Sequence, residues 1–275
     1  MKILYIGTAA YEGVPSMFCQ CRVCKLSRKL GGRNMRSRSQ ALVNDEILID
    51  YNSDTVWHFQ KYGFDWENMK GILITHAHED HLGTDDVPMA GAKFSHEHRV
   101  QHFYAGRAGY LKLARVIENM DGGADVTEVF AGKHFDLADG KYSILPMPAD
   151  HDPASSPLLY SIMETATGKR MLYAHDTGLL PEQTWQLLKQ EGRYDLISLD
   201  CTGGDDENEW VKDHLCLRTC LIVLRKMKEY GIVDDRSKIV LNHFTHNAKQ
   251  TYDEMKIIAD RYGLIVSYDG LEVAF

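Results

Sequence analysis

The segment Thr75-His76-Ala77-His78-Glu79-Asp80-His81 reads T-H-x-H-x-D-H and follows the apolar run Gly71-Ile72-Leu73-Ile74. His76, His78, Asp80 and His81 cannot all share one face of a regular helix or strand. They converge if a buried strand ends and the chain turns tightly at its C-terminal end. Imidazole and carboxylate together suit zinc, manganese or iron, and four donors in six residues call for two ions rather than one.

The same pattern recurs. His151 lies in Ala149-Asp150-His151-Asp152, just after an apolar segment at Tyr142 to Met147. Asp176 follows Arg170 to Ala174, and His243 follows Ile239 to Asn242. Any one of these alone reads as a structural polar residue. Together they place further ligand candidates at strand ends, where a rigid scaffold fixes side-chain geometry.

A second cluster, Cys19-Gln20-Cys21-Arg22-Val23-Cys24, is C-x-C-x-x-C. Three thiols in six residues point to a structural zinc, which needs a fourth ligand to close the tetrahedron. His246 is the expected fourth ligand, on the loop that carries His243. The remaining Cys201, Cys216 and Cys220 read as core thiols.

The elements that must position these groups alternate along the chain. Strands are expected at Lys2 to Ile6, Gly71 to Thr75, Thr127 to Phe130, Tyr142 to Met147, Leu158 to Glu164, Arg170 to Ala174, Leu196 to Asp200 and Ile239 to Asn242. Asn44-Asp45 turns a hairpin between Ala41 to Val43 and Glu46 to Asp50. Helices are expected at Ser53 to Tyr62, Gly109 to Met120, Pro181 to Gln190, Leu215 to Tyr230 and Gln250 to Tyr262, and a final hairpin at Leu264 to Phe275. The two halves meet near residue 135 with similar content. This reads as one domain over 1–275, two sheets packed together with helices outside.

Composition bounds the function. The 275 residues carry a net charge of −8 and the sequence pI is about 5.9, against a general nucleic-acid-binding surface. The start is too short and too soon broken by Gly7 to be a signal peptide, and no apolar run reaches membrane-spanning length. A cytoplasmic location is expected, where six cysteines are ligands or buried thiols rather than disulfides. Arg22, Lys25, Arg28, Lys29, Arg33, Arg36 and Arg38 form a basic stretch with no acidic residue, suited to guiding a phosphate-bearing substrate or to a solvated face. His96 and His98 form another H-x-H without a following Asp-His and read as surface residues.

On these motifs the chain resembles the metallo-β-lactamase superfamily, over essentially its whole length. The resemblance implies a four-layer αββα sandwich of α/β (α+β) class with a two-metal site at the sheet edges. His76, His78 and His151 would hold one ion, Asp80, His81 and His243 the other, and Asp176 would bridge them. A histidine rather than a glutamate at 78 matches the hydrolytic branch rather than the oxygen-reducing diiron branch.

Gly7-Thr8-Ala9-Ala10-Tyr11-Glu12-Gly13-Val14-Pro15, the C-x-C-x-x-C, His175 to Glu182, Leu199-Asp200-Cys201, Asn242 to His246 and Ser267 to Val273 are similar to the PhnP branch, phosphoribosyl cyclic phosphate phosphodiesterases. From its position alone His214 is equally a residue at a helix start. The resemblance implies a general acid there, so Asp80 and His214 are the expected catalytic residues. Gly203 to Trp210 is acidic and departs from the branch. The implied protein is a metal-dependent phosphodiesterase with two zinc or manganese ions, one structural zinc and a small phosphorylated substrate, leaving a homodimer open. A tRNA-processing nuclease would need more basic surface. A relative of the non-hydrolytic coenzyme-biosynthesis protein PqqB is disfavoured by the intact H-x-H-x-D-H.

Overall fold

The computed structural model describes every residue except His98, Glu207 and Glu209. Fourteen strands form two seven-stranded sheets among the described residues. The first contains β1 (Lys2–Gly7), β2 (Gln40–Val43), β3 (Ile47–Ile49), β4 (Gly71–Ile74), β5 (Gln101–Ala105), β6 (Ala124–Glu128) and β14 (Leu271–Ala274), in the order β14-β1-β2-β3-β4-β5-β6. The second contains β7 (Phe135–Leu137), β8 (Tyr142–Pro148), β9 (Leu158–Glu164), β10 (Lys169–Ala174), β11 (Leu196–Asp200), β12 (Lys238–Asn242) and β13 (Ile265–Val266), in chain order. In each sheet the first four strands pair antiparallel and the last four pair parallel.

The alternation of side chains along the strands sorts residues into layers. Ile47, Ile49 and Leu73 from one sheet meet Tyr160, Ile162, Leu196 and Val240 from the other in the central core. Leu48, Ile72 and Ile74 point outward, beneath α3 (Arg107–Ile117), which contributes Leu113. Ile197, Leu199 and Leu241 face outward from the second sheet. They pack under α4 (Glu182–Glu191), α5 (Leu217–Glu229) and α6 (Tyr252–Asp260). The remaining helices are α1 (Arg22–Leu30) and α2 (Thr55–Tyr62). The four-layer αββα sandwich expected from the sequence is the fold.

Most expected elements lie within a few residues of their places. Asn44 and Asp45 turn with φ of 50° and 58°, and the Glu46 amide closes the hairpin turn on the Val43 carbonyl at 3.0 Å. One expectation is corrected. The C-terminal segment is no hairpin: β13 pairs with β12 in one sheet and β14 with β1 in the other. The loop between them crosses the sandwich, and half-buried Asp269 in it accepts hydrogen bonds from Thr8 and Ser37. Helix α1 and strands β5 and β7 went unread, being short or polar. No helix among the described residues is long and apolar enough to cross a membrane.

Candidate metal centre

The parallel halves of both sheets point their C-terminal ends at one place. Asp50 follows β3 directly, His76 lies two residues beyond β4, and Asp176 two beyond β10. Asp200 ends β11, His243 follows β12, and His151 lies three residues beyond β8. Asp50, Asp176 and His243 have φ of 68°, 51° and 64°. A left-handed residue at a strand end turns the side chain sharply across the sheet edge, a conformation that non-glycine residues keep only where the surroundings hold it.

All seven predicted active-site ligands converge. His76 Nε2 lies 3.0 Å from His78 Nδ1, which lies 3.2 Å from His151 Nε2. On the other side, His81 Nε2 lies 3.3 Å from both His243 Nε2 and Asp80 Oδ2. Asp176 stands between the groups. Its Oδ2 is 3.1 Å from the Nε2 atoms of both His81 and His243, and its Oδ1 is 3.9 Å from His151 Nε2.

These spacings test whether the residues fit cations. Donors about 2.0–2.1 Å from one ion lie about 2.9–3.4 Å apart at octahedral to tetrahedral angles. Asp176 Oδ2 is buried and has no hydrogen-bond partner despite its two imidazole neighbours, so those groups aim past one another at a common point. Burial holds the His76 imidazole far below its ordinary pKa and therefore neutral, with a lone pair to give. Burial also pulls His81 down, but Asp176, Asp80 and Asp50 outweigh it and push the ring well above its ordinary value. Three carboxylates turned on one imidazole make this a pocket for positive charge. The donor set fits divalent cations.

The outward nitrogen of each ring is also held. His81 Nδ1 meets buried Asp50 Oδ2 at 2.7 Å, and His243 Nδ1 meets Thr202 Oγ1 at 2.8 Å. His76 Nδ1 lies 3.1 Å from Thr75 Oγ1, His78 Nε2 3.2 Å from Asp152 Oδ2, and His151 Nδ1 3.2 Å from the Asp213 carbonyl. Such partners fix tautomer and ring orientation in metal sites. Sequence reasoning passed over Asp50, Thr202 and Asp152. Asp50 carried a signal: it ends an apolar strand, as the ligands do. His175, beside Asp176, faces away, its Nε2 2.7 Å from Ser198 Oγ, and burial lowers it to about 3.

His214 sits beside the ligands without joining them. Its Nδ1 is 3.0 Å from Asp200 Oδ2. Asp200, His214, Asp176 and His243 bring their donor atoms within 4.8 Å of one another, close enough for an ion. Asp200, however, is already saturated. It accepts from the amides of Asp176, Thr202 and Leu215, each at 3.0 Å, besides His214. Asp200 is therefore scaffold. Burial pulls His214 down, but Asp200 first, then Asp176 and Asp213, raise it to about 9.

Cys19, Cys21, Cys24 and His246 form the second predicted cluster. His246 Nδ1 lies 3.5 Å from Cys21 Sγ and 3.6 Å from Cys19 Sγ. Sulfur at about 2.3 Å and nitrogen at about 2.0–2.1 Å from one ion lie about 3.5 Å apart at the tetrahedral angle, so these residues fit zinc. Cys21 caps α1, its sulfur accepting from the Cys24 amide. Burial raises its thiol, but that amide and His246 outweigh it and lower it to about 6, favouring thiolate. Cys201, Cys216 and Cys220 are buried, as expected.

A cavity of about 600 Å³ opens over the first cluster, lined by His78, His151, His214, Lys112, Tyr11 and Trp210 among others. The basic stretch serves elsewhere. Arg22 pairs with Glu254 at 2.8 Å, and Arg38 with Asp54 at 2.9 Å. Arg36 is buried: it donates to Thr8 and the Ser267 carbonyl and stacks over Phe244. No basic residue of the stretch lines the cavity. His96 is exposed, and His98 lies outside the described residues.

The chain belongs to the beta-lactamase superfamily, whose domain matches residues 47–244. Among solved structures it is similar along its whole length to a diphosphatase from the PhnP family. The TM-score is 0.75 at 20% identity, covering 97% of that chain. Zinc-bound PqqB from Methylobacterium extorquens gives a TM-score of 0.76 at 16% identity, with both chains fully covered. The short form of human tRNase Z gives 0.66 at 16% identity, covering all of this chain and 99% of the other. At such identities these likenesses establish the metallo-β-lactamase fold. An octanoyltransferase from Porphyromonas gingivalis is 32% identical over 92 residues, 32% of this chain and 18% of that protein. The chain thus spans less than a fifth of that relative's length.

Proposed function

We propose that this protein is a metal-dependent phosphodiesterase acting on a small phosphorylated substrate, as the PhnP-like motifs suggest. His76, His78 and His151 hold one divalent cation, zinc or manganese. Asp80, His81 and His243 would hold a second, and Asp176, which faces both groups, would be shared between them. Cys19, Cys21, Cys24 and His246 hold a structural zinc. Two bound cations supply Lewis acidity at the phosphoryl oxygens and an ionised water near neutral pH.

The observation that carries this reading is His214, an imidazole at the cavity edge whose proton-bearing state is stabilised by a carboxylate already committed to the scaffold. With Nδ1 held by Asp200, the proton available for transfer is the one on Nε2. A poor leaving oxygen needs such a donor, and a cyclic or sugar phosphodiester has a poor leaving oxygen. Asp80 orients the second cation beside His81.

The test is a panel of phosphodiesters and cyclic phosphates, run against lactones and thioesters with metal-reconstituted protein. Turnover confined to the phosphate esters supports the reading, and preferred turnover of a lactone or thioester overturns it. His214→Ala should slow an alkyl or sugar ester by about 10²–10⁴-fold. It should spare an activated aryl ester and keep both cations. Equal losses on the two esters would make His214 a positioning residue, and loss of a cation would make it a ligand.

A further inference from the structure

His246 faces two sites. Its Nδ1 meets the thiols of Cys19 and Cys21, whereas its Nε2 lies 3.5 Å from Glu12 Oε1. That same Glu12 oxygen accepts the hydroxyl of Thr245, which in turn caps the Asn247 amide at 3.2 Å. Glu12, Thr245 and Asn247 all line the active-site cavity. Thr245 stands two residues from the ligand candidate His243. The two segments are also joined through their backbones: the Ala10 amide donates to the Phe244 carbonyl, and the Phe244 amide to the Thr8 carbonyl, both at 3.0 Å.

We infer that Glu12 is a positioning residue that couples the cysteine-ligated zinc to the substrate-binding wall of the active site. The inference rests on the zinc assigned to Cys19, Cys21, Cys24 and His246 above. A cation on Nδ1 draws electron density from the ring and strengthens Nε2–H as a donor, and a carboxylate there orients the ring and raises the affinity of the site. Zinc fixes His246, His246 fixes Glu12, and Glu12 fixes Thr245 and Asn247. The seven active-site donors do not depend on this chain of contacts, because Asp50, Thr202 and their fellows hold them separately. Disturbing Glu12 therefore loosens substrate binding while leaving the catalytic cations in place.

The experiment compares Glu12→Ala and Glu12→Gln with the parent, as holoenzyme. Zinc release to a chromophoric chelator reads the cysteine site, elemental analysis reads the catalytic metals, and kinetics on the best phosphodiester separate KM from kcat. Alanine should release the cysteine-bound zinc about 10–100-fold more readily. It should also raise KM severalfold with little change in kcat, at unchanged catalytic-metal content. Glutamine keeps an acceptor oxygen for both Nε2–H and Thr245 and should restore most of both effects. A raised KM with parental zinc release would mean that Glu12 only touches substrate, and faster release with parental KM would mean that the wall does not depend on the zinc. Either outcome overturns the coupling. If alanine does not fold, Glu12→Met, which keeps the volume but has no acceptor oxygen, takes its place, and parental zinc release with a parental KM overturns the coupling. Failure of the zinc assignment is visible separately, as a Cys21→Ser variant with parental zinc content.

Discussion

Asp50 Oδ2 lies 2.7 Å from His81 Nδ1, with both side chains fully buried and 31 residues apart in the chain. The other carboxylate oxygen, Oδ1, accepts the amide and hydroxyl of Thr75, each at 2.8 Å. One acid thus orients the imidazole of a candidate ligand and anchors the start of its loop.

Asp50→Asn should lower divalent-metal affinity by about 10–100-fold while leaving the fold intact. Chelator competition and circular dichroism together check this. Unchanged affinity would show that the loop holds His81 unaided.

Asp176→Ala should cost more. It removes the one residue whose oxygens face both donor groups, so metal content should fall by at least one ion per chain and hydrolysis should disappear. Elemental analysis after gel filtration measures this; two ions retained would exclude a bridging role.

Cys21→Ser should destabilise before it inactivates. It breaks the cluster of three thiols and one imidazole and exchanges the sulfur cap of α1 for a hydroxyl. Each kcal/mol lost shifts Tm by about 2–4 °C in domains approaching this size, so a fall of at least about 5 °C is expected. Thermal unfolding of fully metallated protein gives the answer.

His58 predicts a pH dependence independent of metal. It is buried between Gln40 Oε1 at 2.6 Å from Nδ1 and Ser37 Oγ at 2.7 Å from Nε2, and burial lowers its pKa to about 4. The unfolded chain takes up a proton near 6.5 that the folded chain refuses, so this residue's contribution falls from pH 6.5 to 4 and is level below. The span of about 2.5 units corresponds to about 3 kcal/mol. Denaturant unfolding of metal-free protein at stepped pH, compared with His58→Gln, isolates the slope; equal slopes would place the acid sensitivity elsewhere.

The convergence of the seven active-site candidates was legible in the sequence because the segments that carry them follow apolar strands, and burial makes that pattern visible. His246 was legible because its loop already carried His243. Asp50 and Thr202 were less so, since an isolated acid or hydroxyl at a strand end has many ordinary uses and only the meeting of β3 with β4 and of β11 with β12 assigns them. The basic stretch misled for a related reason. Its charges are spaced like a surface, but Arg36 turns inward to pack on Phe244 beneath the crossing loop, a contact 208 positions distant in the chain. The C-terminal strands looked like a hairpin because two short strands five residues apart look the same whether they pair with each other or with opposite sheets.

The shared strand order of the two sheets has a consequence for how labour is divided in the site. Counted from the edge where antiparallel pairing begins, position four is β3 in one sheet and β10 in the other, and the two carry Asp50 and Asp176 just beyond their ends. Position five is β4 and β11. The first leads into the histidine-rich loop, the second into the loop bearing Thr202 and His214. Corresponding corners of the two half-sandwiches thus carry different chemistry: one gathers imidazoles and a carboxylate at a single point, and its counterpart sets one imidazole against a carboxylate held by backbone amides.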